Sequence, residues 1–368
     1  MSEFSLANLS ILLILTRSIE AKTNYQEPLF LSVIVQTVGS RAFSRNDFIV
    51  AMESNVEFLF GRVIDGAVSE SVAIRENMFE FDHNLAVDSL IEKSGSPSYE
   101  VISKLVSLLF KRLNLGIFKG LGIEIGSGLG LLSTSLLEHD RKTEIKGIVA
   151  LEGCRPYVEY GIRNVASGYI PQRYKDLMPY FDSFEDISVQ DSTFDFAIQI
   201  ESLHHADNPI KSLKEIYRTL NKGSFFLSID RSWPDHVQNS VLESLLDHEY
   251  SVAWKKTKGL AIDEIVTRRD NGEHEYRDCE WIEFFTAAGF EIVNVMHLHP
   301  IVRPWEIWKT ILCRIGMQNI LGIKIKPRKG LLLSSLTHKL KLDYMNKYQT
   351  LVSPHPRPLT VILARKTD

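Results

Sequence analysis

A chain of 368 residues with 44% hydrophobic and 24% charged residues has an ordinary globular composition, which excludes a collagen-like or largely disordered polymer. Lysine and arginine number 42 against 46 aspartates and glutamates, and the net charge of -4 excludes a general polyanion binder. Three scattered cysteines, Cys154, Cys279 and Cys313, form no CxxC pair and no zinc-ligand spacing. They read as isolated thiols of a reducing compartment, and no metal site is expected.

The apolar run Ile11 to Leu15 is too short to span a bilayer and has no basic residue before it, so it makes neither a membrane anchor nor a secretory leader. It reads as a buried helix face, and the protein is expected to be soluble and cytoplasmic. Residues 1–97 read as a helical region serving as a cap, a lid or a homodimer contact. Ser44 with Asp47 resembles an N-cap and acidic first turn, and Phe48, Ile49, Met52, Val56, Leu59, Phe60 and Val63 follow at helical spacing. Ser94 to Ser98 (SGSPS) is linker-like, and Tyr99 to Leu113 is an amphipathic helix.

From there to residue 368 the pattern changes, and short apolar runs alternate with helical segments. Strands are expected at GIFKGLGIEI, KGIVALEG, Tyr180 to Phe184, FDFAIQI, GSFFLSID, EIVNVMHLH and PLTVILARK, with helices between them. This alternation predicts an α/β fold with a largely parallel sheet covered on both faces. Two mostly helical insertions interrupt it, at about 232–278 and 300–357.

The stretch Leu121 to Ser133 (LGIEIGSGLGLLS) runs from a buried strand through Gly126, Ser127, Gly128, Leu129 and Gly130 into a helix. Glycines serve where the backbone turns sharply and a ligand must approach without a Cβ in the way, and the next helix aims free N–H groups at that ligand. The dinucleotide pattern GxGxxG fails because Leu131 fills its sixth position. The pattern present is an acid, Glu124, one residue, then GxGxG. The second strand ends at Glu152-Gly153, where an acid can accept from a ribose diol.

Further along stand Ser183-Phe184-Glu185-Asp186-Ile187, Phe194-Asp195 and Leu203-His204-His205. Leu213 to Gly223 (LKEIYRTLNKG) follows, and then Trp281, Phe284, Phe285 and Ala288-Gly289-Phe290. Together these resemble the class I S-adenosylmethionine-dependent methyltransferases of the ubiquinone/menaquinone-biosynthesis and small-molecule or sugar O-methyltransferase type, over roughly residues 118 to 298. Ser183 stands where that family has an acid, and Ser224 where it has a second glycine. The resemblance implies a Rossmann-like seven-stranded sheet with the last strand antiparallel, and S-adenosyl-L-methionine as cofactor. With that cofactor, Gly126, Ser127, Gly128 and Gly130 are expected to cradle it, and Glu124 suits its ammonium or an ordering water network. Glu152 and Gly153 would hold the ribose, Ser183 and Phe184 would border the adenine, and Glu201 would lie near the methionine moiety.

A hydroxyl acceptor must lose a proton, and the candidates to take or hold it are His204, His205 and Asp230, all at the carboxyl edge of the sheet. The acceptor is expected to be a small molecule of secondary metabolism. Between Arg303 and Lys347 ten basic residues face two acidic ones, which suits an anionic or carrier-bound acceptor, or equally a solvated face beside Trp305 and Trp308. Trp233, Tyr250, Trp254 and Tyr276 either wall an acceptor pocket or build core. A nucleic-acid methylase is disfavoured, because ESLHH replaces the [DN]PPY of base amino-methylases. The alternatives are an NAD(P)-dependent oxidoreductase and a non-catalytic methyltransferase-like binding subunit.

Overall fold

The structure, a computed structural model, describes residues 11–15, 33–37, 42–61, 86–113, 115–257, 260–300, 331–334 and 359–367. Strands β1 (Ile11–Leu15) and β2 (Val33–Thr37) pair antiparallel. Ile11 to Leu15 is therefore a strand and not the expected helix. Five consecutive apolar residues fit either period, and the pairing with Val33–Thr37 decides between them.

Helix α1 (Arg45–Glu53) begins where expected. Asp47 N donates to Ser44 Oγ at 3.3 Å and Ser44 N to Asp47 Oδ2 at 2.7 Å, a reciprocal capping box. The helix stops well short of Val63, because Asn55 takes a left-handed φ of 58° just past its end and Leu59–Phe60 become strand β3. Helix α2 (Val87–Ser94) ends at Gly95, and α3 (Tyr99–Leu113) covers the predicted amphipathic span.

The alternation then runs through β4 (Gly120–Ile125), α4 (Leu131–His139), β5 (Ile145–Glu152), α5 (Ile162–Tyr169), β6 (Leu177–Phe181) and β7 (Phe194–Ile200). It continues with α6 (Pro209–Thr219), β8 (Leu220–Arg231), α7 (Asn239–Leu246), α8 (Val252–Thr257), α9 (Asp278–Ala287), β9 (Phe290–Pro300), β10 (Leu331–Ser334) and β11 (Leu359–Lys366). The third strand of the alternation ends at Phe181, so Ser183 and Phe184 lie in the loop beyond it. In the first insertion only α7 and α8 are α-helical among the described residues. The basic stretch from Arg303 to Lys347, Trp305 and Trp308 included, lies outside the described residues apart from β10, which contains no charged side chain.

The strands form one sheet in the order β1-β2-β3-β6-β5-β4-β7-β8-β11-β9-β10. From β2 to β8 all neighbours are parallel, and β11 is antiparallel to both β8 and β9. The expected seven-stranded sheet with its last strand antiparallel is thus the centre of a wider one. Strand order reverses at β4 and β7, and a crevice opens beyond their carboxyl ends.

The central strands are near-continuous apolar runs because both faces are covered. One face packs Ile148, Phe196 and Leu227 under α3, α4 and α5; the other packs Ile123, Val149 and Phe226 under α1, α6 and α9. At the opposite edge Asp195 ties four elements together. It accepts from Leu121 N at 2.8 Å, Arg45 Nη2 at 2.5 Å and Asn221 Nδ2 at 2.8 Å. Lys366 Nζ donates to the carbonyls of Tyr217 and Leu220, both at 2.9 Å, and so satisfies the carboxyl end of α6.

Gly122 marks close ring packing within the sheet. A Cβ there would fall 2.1 Å from Phe196 Cζ, and that ring is itself stacked on Phe118 at 4.9 Å. Gly122→Ala is expected to destabilise the fold by about 1–3 kcal/mol through overpacking, and a second change, Phe196→Leu, to recover part of the loss. Equilibrium denaturation of the two variants checks this, and an unchanged midpoint for the single variant refutes it.

Candidate functional site

The crevice is floored by the turn that follows β4. Gly126, Gly128 and Gly130 all take left-handed φ values, of 59°, 54° and 68°. A Cβ on Gly126 would strike Ser202 Cβ at 2.5 Å, whereas a Cβ on Gly128 would meet no atom within 4 Å. Gly126 is thus required by packing, and Gly128 faces open space. The turn is pinned to β5, since Ser127 N donates to Leu151 O at 2.9 Å and Gly128 N to Glu152 Oε2 at 2.6 Å. Glu152 Oε1 accepts from Cys154 N at 2.8 Å, so both oxygens of this buried carboxylate are held by backbone, with Gly153 in the bend between.

Beneath the turn Glu124 is 1% exposed and accepts from Ser133 N, in the first turn of α4, at 3.2 Å. Burial pushes its carboxyl up to about 8, against the hydrogen bonds from Ser133 that pull it down. Ser127 Oγ is buried and has no hydrogen-bond partner among the described residues.

Phe184 reaches the same turn, its Cε1 lying 3.8 Å from where a Gly126 Cβ would be. The loop carrying it is shaped by Asp182, which accepts from Tyr180 OH at 2.7 Å, Ser188 N at 2.7 Å and Ser183 N at 2.9 Å. Burial raises the Asp182 carboxyl to about 6. Ser183 Oγ turns inward to accept from Glu185 N at 3.2 Å.

Across the crevice, β7 ends in Glu201, a non-glycine residue with φ of 50° whose N–H donates to Ile229 O at 2.8 Å. Ser202 Oγ donates to Ile125 O at 2.8 Å and joins the two halves of the switch point. The next turn carries His204 and His205, with ring centroids 4.3 Å apart. His204 is fully buried, and its Nδ1 lies 2.7 Å from Asp230 Oδ1 at the end of β8. Burial raises Asp230 to about 6, although the backbone N–H and charge of Arg231 pull the other way. His205 is only partly buried, and its Nδ1 lies 3.2 Å from Gly272 O.

The insertion after β8 folds back onto these histidines. His274 N donates to His204 O at 2.8 Å, and Trp233 N to Tyr276 O at 2.9 Å. Arg231 lies between two carboxylates, with Nε 3.3 Å from Glu201 Oε1 and Nη1 2.5 Å from Glu273 Oε2. Arg268 Nε adds a second cation to Glu273 at 2.6 Å and also pairs with Glu275, which accepts from Trp233 Nε1. Burial would raise the Glu273 carboxyl, but the Arg231 and Arg268 guanidiniums hold it well below the usual range.

Residues 123–228 match the family model described as a methyltransferase domain. Among solved structures the chain is similar to a SAM-dependent methyltransferase from Thermotoga maritima, at 16% identity and a TM-score of 0.40, over 73% of this chain and 89% of that one. The [4+2]-cyclase SpnF is similar at 14% identity and 0.41, over 72% and 80%. A geranyl diphosphate methyltransferase in complex with GPP and sinefungin is similar at 12% identity and 0.42, over 68% and 71%. No curated protein matches the chain significantly.

Within and just beyond residues 123–228, the residues singled out in the sequence converge. Glu124, Gly126, Ser127, Gly128, Gly130, Glu152 and Phe184 meet around one turn, Glu201 stands at the facing strand end, and His204 pairs with Asp230. Ser183 borders this group through its backbone. Sequence reasoning passed over Asp182, Ser202 and the Arg231, Arg268, Glu273 and Glu275 cluster. The alternating charges of RRDNGEHEYRD, from Arg268 to Asp278, were the available signal for the last. Of the insertion aromatics, Tyr250 stacks on Trp254 at 3.7 Å, and Tyr276 packs edge-on against Trp281 and Phe284.

Glu124 makes a measurable pH prediction. Its folded carboxyl holds the proton to about 8, whereas an ordinary one releases it near 4.5. The unfolded chain therefore gains stability relative to the folded one as pH rises between those values. Glu124→Gln is expected to be the more stable protein at pH 8, by on the order of 3 kcal/mol, and to lose that advantage by pH 4.5. Urea midpoints at both pH values check it; a difference between the two proteins that does not vary with pH removes the argument.

Proposed function

We propose that the chain is an S-adenosylmethionine-dependent methyltransferase acting on a hydroxyl of a small-molecule acceptor. One observation carries this reading. At a single switch point, a glycine facing open space lies beside two buried carboxylates from adjoining strands.

The residues fit that cofactor. Glu152 binds two backbone N–H groups yet retains lone pairs on both oxygens for a ribose diol. Glu124 keeps its proton only because burial leaves it without a cation, and an ammonium nearby would return it to the ionised form. Ser127 Oγ has capacity to bond a polar ligand group. Phe184 offers an apolar face to an adenine.

The cofactor supplies a methyl on a sulfonium, whose loss leaves a neutral thioether. The protein's share is to align the acceptor, exclude water and take one proton. A backbone carbonyl only accepts, so His205 Nδ1 carries a proton toward Gly272 O and Nε2 keeps the lone pair. His204 is oriented in the same sense by Asp230, which can stabilise positive charge on the imidazole. Full enclosure of His204 and partial exposure of His205 make His205 the ring an acceptor reaches first. The segment from Gly272 to Tyr276 contacts both histidines, through His274 N on His204 O and Gly272 O facing His205 Nδ1.

Calorimetry with S-adenosylhomocysteine is expected to show binding to the wild-type protein and about 10- to 100-fold weaker binding to Glu152→Ala. Absence of heat with well-folded wild type overturns the cofactor. His205→Ala is expected to lower turnover roughly 10²- to 10⁴-fold against an acceptor found by screening. If His204→Ala and His205→Ala both keep full turnover, neither histidine takes the proton and alignment alone accounts for the rate.

A further inference from the structure

We propose that Arg231 is a positioning residue: a clasp through which a cationic ligand beside Glu201 tightens the 268–276 segment over the histidines. The inference rests on the cofactor reading above and assigns the insertion a part in it.

Arg231 is almost wholly buried, yet its guanidinium reaches in two directions. Nε addresses Glu201 on the sheet edge at 3.3 Å, and Nη1 addresses Glu273 in the insertion at 2.5 Å. The two contacts differ in kind. Glu201 is the more exposed carboxylate, its side chain 30% accessible against 4% for Glu273, so it is the one a ligand in the crevice can reach. The left-handed backbone of Glu201, with its N–H on Ile229 O, fixes where that side chain starts, so Glu201 does not follow a shift of Arg231.

A cation arriving at Glu201 therefore competes with Arg231 for the same carboxylate. The guanidinium is buried and always charged, so what it loses at Glu201 it must recover at Glu273. Glu273 transmits that change, because it also accepts from Arg268, which holds Glu275 and through it Trp233. Tyr250 and Asn271 donate to Glu273 from the same insertion. Alternate charges thus run without a break from the strand end to the segment that covers the active edge. The same segment supplies Gly272 O to the His205 ring and donates from His274 N to His204 O, so its seating orients the His205 ring and holds the backbone of His204.

Ligand binding and segment closure are then reciprocal, each strengthening the other by one coupling factor. Hydrogen exchange of the full chain, with and without saturating S-adenosylmethionine, which carries a sulfonium besides the ammonium assigned to Glu124, reads it. In the wild type, amide protection across 268–276 is expected to rise about 10-fold with the ligand. In Arg231→Gln the ligand-induced rise is expected to vanish, with Arg231→Lys restoring part of it. A merely structural arginine would lower protection with and without ligand equally. Should Arg231→Gln fail to fold, the wild-type comparison and Arg231→Lys still decide. Binding with no change over 268–276, or an unaltered ligand response in a variant, overturns the clasp alone. No binding to wild type overturns both the clasp and the cofactor reading.

Discussion

The turn from Gly126 to Gly130 is the constraint on which the other features depend. It must reverse the chain between a fully buried strand and a fully buried helix in five residues, and left-handed backbone at Gly126, Gly128 and Gly130 is how it does so. Ser202 packs where a Gly126 side chain would be and donates to Ile125 O, so the turn also sets the separation of β4 from β7. Every residue of the candidate site is measured from that separation. Glu152 reaches the turn from β5, Phe184 from beyond β6, and Glu201 and the histidines from β7.

Four buried carboxylates around this turn differ in charge state, and their partners explain the difference. Glu124 has one backbone N–H and the Ser133 side chain for company, and burial keeps it protonated to about 8. Asp182 and Asp230 have several hydrogen bonds and sit near 6. Glu273 has two guanidiniums and stays ionised throughout the working range. Negative charge is therefore balanced under the insertion by Arg231 and Arg268, and withheld at Glu124, against which no cation lies among the described residues. A site that withholds charge in this way favours a ligand that brings its own positive charge.

Much of this was legible in the sequence, and the reasons are local. Strand and helix periods from Leu121 to Phe290 gave the alternation, FDFAIQI marked β7 residue for residue, and Ser44 with Asp47 marked the start of α1. Two kinds of feature escaped. Ile11 to Leu15 is uniformly apolar and carries no period, so only its partner strand could tell helix from strand. Leu59 and Phe60 match a helical repeat by chance, and the turn at Asn55 outweighs the match. The charged cluster escaped for another cause. Arg268, Glu273 and Glu275 look like a solvated face because charge ordinarily means exposure, and only mutual pairing allows them to be buried.

That last point bears on where substrate choice resides. Apolar periodicity encodes the sheet and the glycine turn, and a fold of this kind does not by itself fix a substrate. The insertion grows out of β8 directly after Asp230 and Arg231, so it leaves the sheet at the strand end that already holds His204. That segment meets the sheet edge through hydrogen bonds and ion pairs, Arg231 with Glu273, His274 N with His204 O, and Ser232 Oγ with Asp278 Oδ1, and meets one core face through Tyr276 against Trp281 and Phe284. Polar contacts of this kind are strict about geometry and weak in net stability. They fix the geometry of the strand end more than they stabilise the fold.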